Sequence, residues 1–131
     1  HGGTYGGNAV ACAAGVATIR AMSDEDMPGN AARRGVQLTT GLRKLQEEYP
    51  IIGDVRGLGL MIGTELTIKS KPAEKALLKS VLHACEERGL LLLSCGTYDN
   101  VIRWIPPLIV TEPQINNGLD IFAEAMKETI Q

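Results

Sequence analysis

Small apolar residues follow one another almost without interruption from Ala9 to Ile19, behind a head of glycines and the polar residues His1, Thr4, Tyr5 and Asn8. That run predicts a helix over residues 9–22 with almost no polar face, the pattern of a helix covered on all sides. Asn8 stands where its side chain can cap the first turn. After the acidic break at residues 23–26, Asp26 is placed to cap a second helix with Pro28 in its first turn. Ala31, Gly35, Leu38, Leu42, Leu45 and Tyr49 recur at alternating spacings of four and three, one face of an amphipathic helix that Pro50 ends. Arg33, Arg34, Arg43, Lys44, Glu47 and Glu48 fall mostly on the wet side.

The period then changes. Residues 51–56 and 60–66 read as strands joined through Gly57-Leu58-Gly59, with Leu60, Ile62, Thr64 and Leu66 sharing one sheet face. The glycines mark a turn or bulge, because no helix follows to complete a nucleotide-binding fingerprint. Residues 67–71 form a polar loop, and Pro72 is expected to open a third helix with Leu77, Leu78, Val81, Leu82 and Cys85 inward and Gly89 just past its end. The apolar run 90–95 and residues 101–105 make a strand hairpin around a five-residue loop. Thr111 and Gln114 form a capping box, with Pro113 in the first turn of a last helix whose inner face is Ile115, Leu119, Phe122, Met126 and Ile130. The order is helix, helix, strand, strand, helix, strand, strand, helix. It implies an α+β layer, a small and mainly antiparallel sheet covered by helices.

Length and charge narrow the function. At 131 residues the chain can bury one proper core, and its net charge of -2 gives no electrostatic reason to expect nucleic acid or an anionic membrane. No apolar run approaches the ~20 residues of a membrane span. Cys12, Cys85 and Cys95 are odd in number and widely spaced, as reduced thiols of a cytoplasmic protein would be. His1 and His83 are too far apart in sequence to predict a metal cluster, and no metal is expected.

Two places carry candidate chemistry. The head HGGTYGGN puts Thr4 among glycines that let a backbone approach another group closely; by itself it is also what a turn before a core helix looks like. Arg103 stands between Ile102 and Trp104, with Val101 and Ile105 on its own side of the strand. Alternation leaves two readings open: an arginine on an edge strand that reaches water, or one that needs a carboxylate or phosphate partner because an unpaired buried charge is too costly. Arg56 reads as structural. Lys44, Lys69, Lys71, Lys75, Lys79 and Lys127 all fall on polar helix faces or in a loop.

Three segments in order, HGGTYGGNAVACAA at the start, DVRGLGLMIGTEL at residues 54–66 and GLLLLSCGTYDNVIRWIPPLIVTEPQINNGLDIFAEAM at residues 89–126, resemble the class III, pyridoxal-phosphate-dependent aminotransferases. Residues 91–103 are most similar to 4-aminobutyrate transaminases, whereas Gly6-Gly7-Asn8 is commoner among relatives acting on acetylornithine or ornithine. The resemblance implies the C-terminal small domain of a fold-type I transferase at residues 23–131, with residues 1–22 a remnant of the large domain. It implies pyridoxal 5′-phosphate as cofactor and a homodimer in which Thr4 reaches the phosphate of the neighbouring subunit's cofactor. Arg103 would pair with a large-domain glutamate or hold a substrate α-carboxylate. None of the lysines has the context of the one that holds the cofactor, so that lysine is expected before His1, and this segment is expected to be inactive alone. The reaction implied moves an amino group from an ω-amine such as 4-aminobutyrate to 2-oxoglutarate. Acetylornithine, ornithine and diaminobutyrate transamination are alternatives in the same class, and a non-catalytic α+β ligand-binding module is one outside it.

Overall fold

A computed structural model describes residues 3–130, so His1 and Gly2 of the glycine-rich head lie outside the described residues. Asn8 caps α1 (Ala9–Asp24) as its type predicts, its side-chain oxygen accepting from the Ala11 N–H at 3.0 Å. The helix itself is a correction. No residue of α1 is buried, and Val10 is 80 % and Ile19 69 % exposed. Its composition is that of a covered helix, yet residues 3–130 do not cover it.

The second helix, α2 (Met27–Glu48), turns its apolar stripe onto the sheet, with Gly35, Leu38 and Leu42 buried. Asp26 sits at the N-cap position but does not cap: its backbone is left-handed, at φ 46°, and its carboxylate pairs with Arg33 at 3.1 Å instead. Gly35 is where the helix meets the first hairpin. A Cβ there would lie 2.2 Å from the Gly59 carbonyl oxygen, so only glycine permits this approach.

Strands β1 (Ile52–Leu58) and β2 (Met61–Ile68) pair antiparallel across a two-residue loop at Gly59 and Leu60, Gly59 supplying the positive φ of 57°. The predicted face holds: Leu60, Ile62, Thr64 and Leu66 are all buried. The polar loop expected over 67–71 is a second hairpin. β2 continues to Ile68, turns through Lys69 and Ser70, both at positive φ, and returns as β3 (Lys71–Pro72). Two consecutive positive φ values make the tight turn whose twist suits a hairpin, and non-glycine residues accept it here. Pro72 therefore ends a strand, and α3 (Lys75–Glu87) starts three residues later. Gly89, at φ 82°, closes α3: its N–H bonds the Glu86 carbonyl and the Leu90 N–H bonds the Cys85 carbonyl, both at 2.9 Å.

Of the run 90–95 only β4 (Leu93–Cys95) is strand, paired with β5 (Val101–Trp104) across the expected five-residue loop. The capping box of Thr111 and Gln114 opens α4 (Glu112–Thr129). Sheet order is β1-β2-β5-β4, with β3 on β2. So β5 is an interior strand and not an edge, although Arg103 on it does reach water. The core gathers α2, α3 and α4 on one face of the sheet around Leu38, Leu78, Ile102, Phe122 and Met126. Trp104 meets Phe122 edge to face at 5.1 Å, and its indole N–H donates to the Thr64 hydroxyl at 3.0 Å. No helix among the described residues is long and apolar enough to cross a membrane.

Candidate active-site face

The helices take one side of the sheet, and the other is open to solvent at Asp54, Arg56, Leu93 and Arg103. Register defines that open face row by row. Arg56 on β1 lies opposite Gly63 on β2, Gly63 opposite Arg103 on β5, and Arg103 opposite Leu93 on β4. The next row is Asp54, Glu65, Val101 and Cys95. Backbone alternation puts both rows on the same side, because each strand contributes residues two apart.

Arg103 is exposed on this face and makes no ion pair among the described residues. Exposed as it is, Arg103 needs no carboxylate to offset burial, and none within residues 3–130 pairs with it. Its position is well held all the same. Ile102 and Trp104 on either side are buried, Trp104 through its bond to Thr64, so the backbone that carries Arg103 is fixed from below. Arg103 borders an apolar trough of about 430 Å³ that Leu91, Leu93, Ile105 and Pro106 also line. A guanidinium at the edge of an apolar trough is a docking arrangement for a carboxylate on a short carbon chain.

Arg56 is the opposite case. Its Nη1 donates to Asp54 and to Glu65, each at 2.6 Å. The hydrogen bonds to Asp54 first, then to Glu65, raise its already high pKa further. Glu65 is bound at its other oxygen by the Asn100 side-chain amide at 3.2 Å, and buried Asn100 also donates to the Leu66 carbonyl at 3.0 Å. Sequence reasoning missed this network, because its members meet only once β2 lies between β1 and β5.

Thr4 is exposed in a turn before α1, closed by the Gly6 N–H on the Gly3 carbonyl at 3.2 Å. The 16 residues of α1 span about 24 Å. Thr4 thus sits a helix length from α2, and the trough beside Arg103 does not include it. The structure does not bring the two predicted site residues together within one chain. An accessible hydroxyl among glycines fits a phosphate oxygen, so Thr4 suits the role that pyridoxal phosphate would give it. All six lysines are exposed on helix surfaces or on the β2–β3 hairpin. None is enclosed by its neighbours. Among the described residues no group of His, Cys, Asp and Glu is arranged to hold a metal ion.

Comparison with known proteins gives the family. The family model for aminotransferase class-III matches residues 1–126. The 5-aminovalerate aminotransferase DavT of Pseudomonas putida is 44 % identical over 97 % of this chain and 30 % of its own length. The 4-aminobutyrate aminotransferase GabT of Escherichia coli is 41 % identical over 99 % of the chain and 31 % of its own. An acetylornithine aminotransferase of Synechocystis is 36 % identical over 96 % of the chain and 28 % of its own. Among solved structures, an amine transaminase from an uncultivated Pseudomonas species, in its PLP-bound form, superposes with a TM-score of 0.90 at 33 % identity, over 98 % of this chain and 30 % of that one. The chain thus spans under a third of the length of these relatives. Its helix-backed antiparallel sheet is a segment of the PLP-dependent aminotransferase fold, and the chain belongs to the class III aminotransferase family.

Proposed function

We propose that this chain forms the C-terminal part of a pyridoxal-phosphate-dependent enzyme that moves an amino group from an ω-amine such as 4-aminobutyrate to 2-oxoglutarate. Arg103 carries the reading: an exposed guanidinium on a strand held by buried Ile102 and Trp104, without a carboxylate partner among the described residues, at the rim of an apolar trough. Its planar fork would hold the α-carboxylate of glutamate or 2-oxoglutarate through two parallel N–H···O bonds. A glutamate elsewhere in the polypeptide would take that place while an ω-amine reacts, since such a substrate has no carboxylate beside the reacting carbon. Thr4 would donate its hydroxyl to the phosphate of the cofactor held by the second subunit of a homodimer. Pyridoxal phosphate, when bound, supplies the electron sink for the reaction. The lysine that holds it would lie before His1, because all six lysines of this chain are exposed on helix surfaces or on the β2–β3 hairpin. On this reading residues 1–22 belong with the large domain and residues 23–131 form the small one, and the protein works in the cytoplasm.

The choice of ω-amine over acetylornithine rests on the higher identity to the 5-aminovalerate and 4-aminobutyrate enzymes. The complete polypeptide, loaded with cofactor, should turn over 4-aminobutyrate or 5-aminovalerate with 2-oxoglutarate faster than N-acetylornithine. A preference for N-acetylornithine would reassign the substrate. The chain of 131 residues alone should show neither turnover nor specific cofactor absorbance. Turnover by it would overturn the assignment of the lysine.

A further inference from the structure

Glu65 bears the same register relation to two arginines. Arg56 and Arg103 both lie opposite Gly63, from β1 and β5, and Glu65 is two residues along β2 from Gly63. Each arginine is therefore its diagonal neighbour, about 7–8 Å away between backbones and within reach of a long side chain. Gly63 has no side chain to stand between them. A Cβ there would already press on Val101 at 3.2 Å. The strands flanking β5 are β2 and β4, and Glu65 is the one carboxylate they present to the open face. Left free, it would be the natural partner of Arg103.

It is not free. Arg56 takes one carboxylate oxygen at 2.6 Å, Asn100 takes the other at 3.2 Å, and Asp54, bound to the same Arg56 Nη1, keeps that arginine in place. We propose that Arg56 is a positioning residue for Arg103: with Asn100 it occupies Glu65, and so keeps Arg103 available to the carboxylate of a 2-oxo acid. This deepens the substrate role proposed for Arg103 and rests on it. The mechanism is competition. Remove Arg56, and Glu65 turns across Gly63 to Arg103, so an incoming oxo acid must displace a second internal carboxylate, held close on the neighbouring strand, besides the glutamate proposed above. An ω-amine, with no carboxylate beside its reacting carbon, should be far less affected.

The test uses the complete, cofactor-loaded enzyme and single-turnover half-reactions with 2-oxoglutarate and with 4-aminobutyrate. Arg56→Gln should weaken apparent 2-oxoglutarate binding about tenfold, the scale of a charge-assisted hydrogen bond. It should leave the maximal rate and the 4-aminobutyrate half-reaction within about twofold. Adding Glu65→Gln should restore 2-oxoglutarate binding to within about threefold of wild type, which a merely structural arginine would not do. Arg56→Met carries the same expectations should Arg56→Gln fail to fold. Equal loss in both half-reactions, no loss, or no recovery in the double variant overturns the proposal. Arg103→Lys is measured alongside. If it spares the oxo-acid half-reaction, the substrate role of Arg103 falls and this inference with it; if it impairs that half-reaction while Arg56→Gln does not, this inference alone falls.

Discussion

Trp104 donates its indole N–H to the hydroxyl of Thr64 at 3.0 Å, and both side chains are buried between the sheet and the helices. The bond joins the two central strands one residue away from Arg103. Thr64→Val keeps the shape and removes the acceptor, leaving a buried N–H without a partner. That should cost about 1–3 kcal/mol. Thermal or denaturant unfolding of the variant checks it. A loss below the range would mean that the indole finds another acceptor.

Gly35 and the Gly59 carbonyl set how closely α2 approaches the first hairpin. Gly35→Ala would place a methyl 2.2 Å from a backbone oxygen that has no flexible end to yield. A destabilisation of about 1–3 kcal/mol or more is expected, against the small gain that alanine brings in an open helix. A variant as stable as wild type would show that the contact relaxes freely.

Cys85 is buried at the inner face of α3, and burial pushes its thiol up to about 11, with Arg88 opposing in part. The folded protein keeps a proton that the unfolded chain gives up above its ordinary pKa of 9.0. Stability from this group is therefore complete below pH 9 and falls as pH rises toward 11. Cys85→Ala should flatten the stability curve within that window relative to wild type. Parallel curves would show that the thiol titrates normally.

Thr4 is predicted to act on cofactor retention and not on folding. In the complete dimer, Thr4→Ala should weaken cofactor binding by about 1–3 kcal/mol, the loss of one hydrogen bond to a charged group. Equilibrium dialysis at constant dimer content measures it. Unchanged affinity would remove Thr4 from the phosphate.

Much of the fold was legible because period and punctuation agree. The face of α2, the buried face of β2, the loop between β4 and β5 and the capping box at Thr111 all follow from spacing and residue type. What escaped depended on context. Lys69 and Ser70 adopt positive φ without the glycine or asparagine that announces it, so β3 was hidden in a polar stretch. Asp26 met Arg33 and left the helix terminus uncapped. Arg103 was legible as a residue of interest, but the network beside it was not, because Arg56 and Asn100 hold Glu65 across strands distant in sequence. The run in α1 has the composition of a covered helix, and within residues 3–130 it is exposed.

In the function proposed above, Arg103 serves the carboxylate of one half-reaction and not the amine of the other. Lysine keeps the charge and loses the fork. In the complete enzyme, single-turnover rates for Arg103→Lys, measured separately with 2-oxoglutarate and with 4-aminobutyrate, test this most directly. The expected result is a loss of about 2–5 kcal/mol in the 2-oxoglutarate half-reaction, where a desolvated carboxylate loses its partner geometry, and a much smaller loss with 4-aminobutyrate. Equal losses in the two, or none in either, would contradict it.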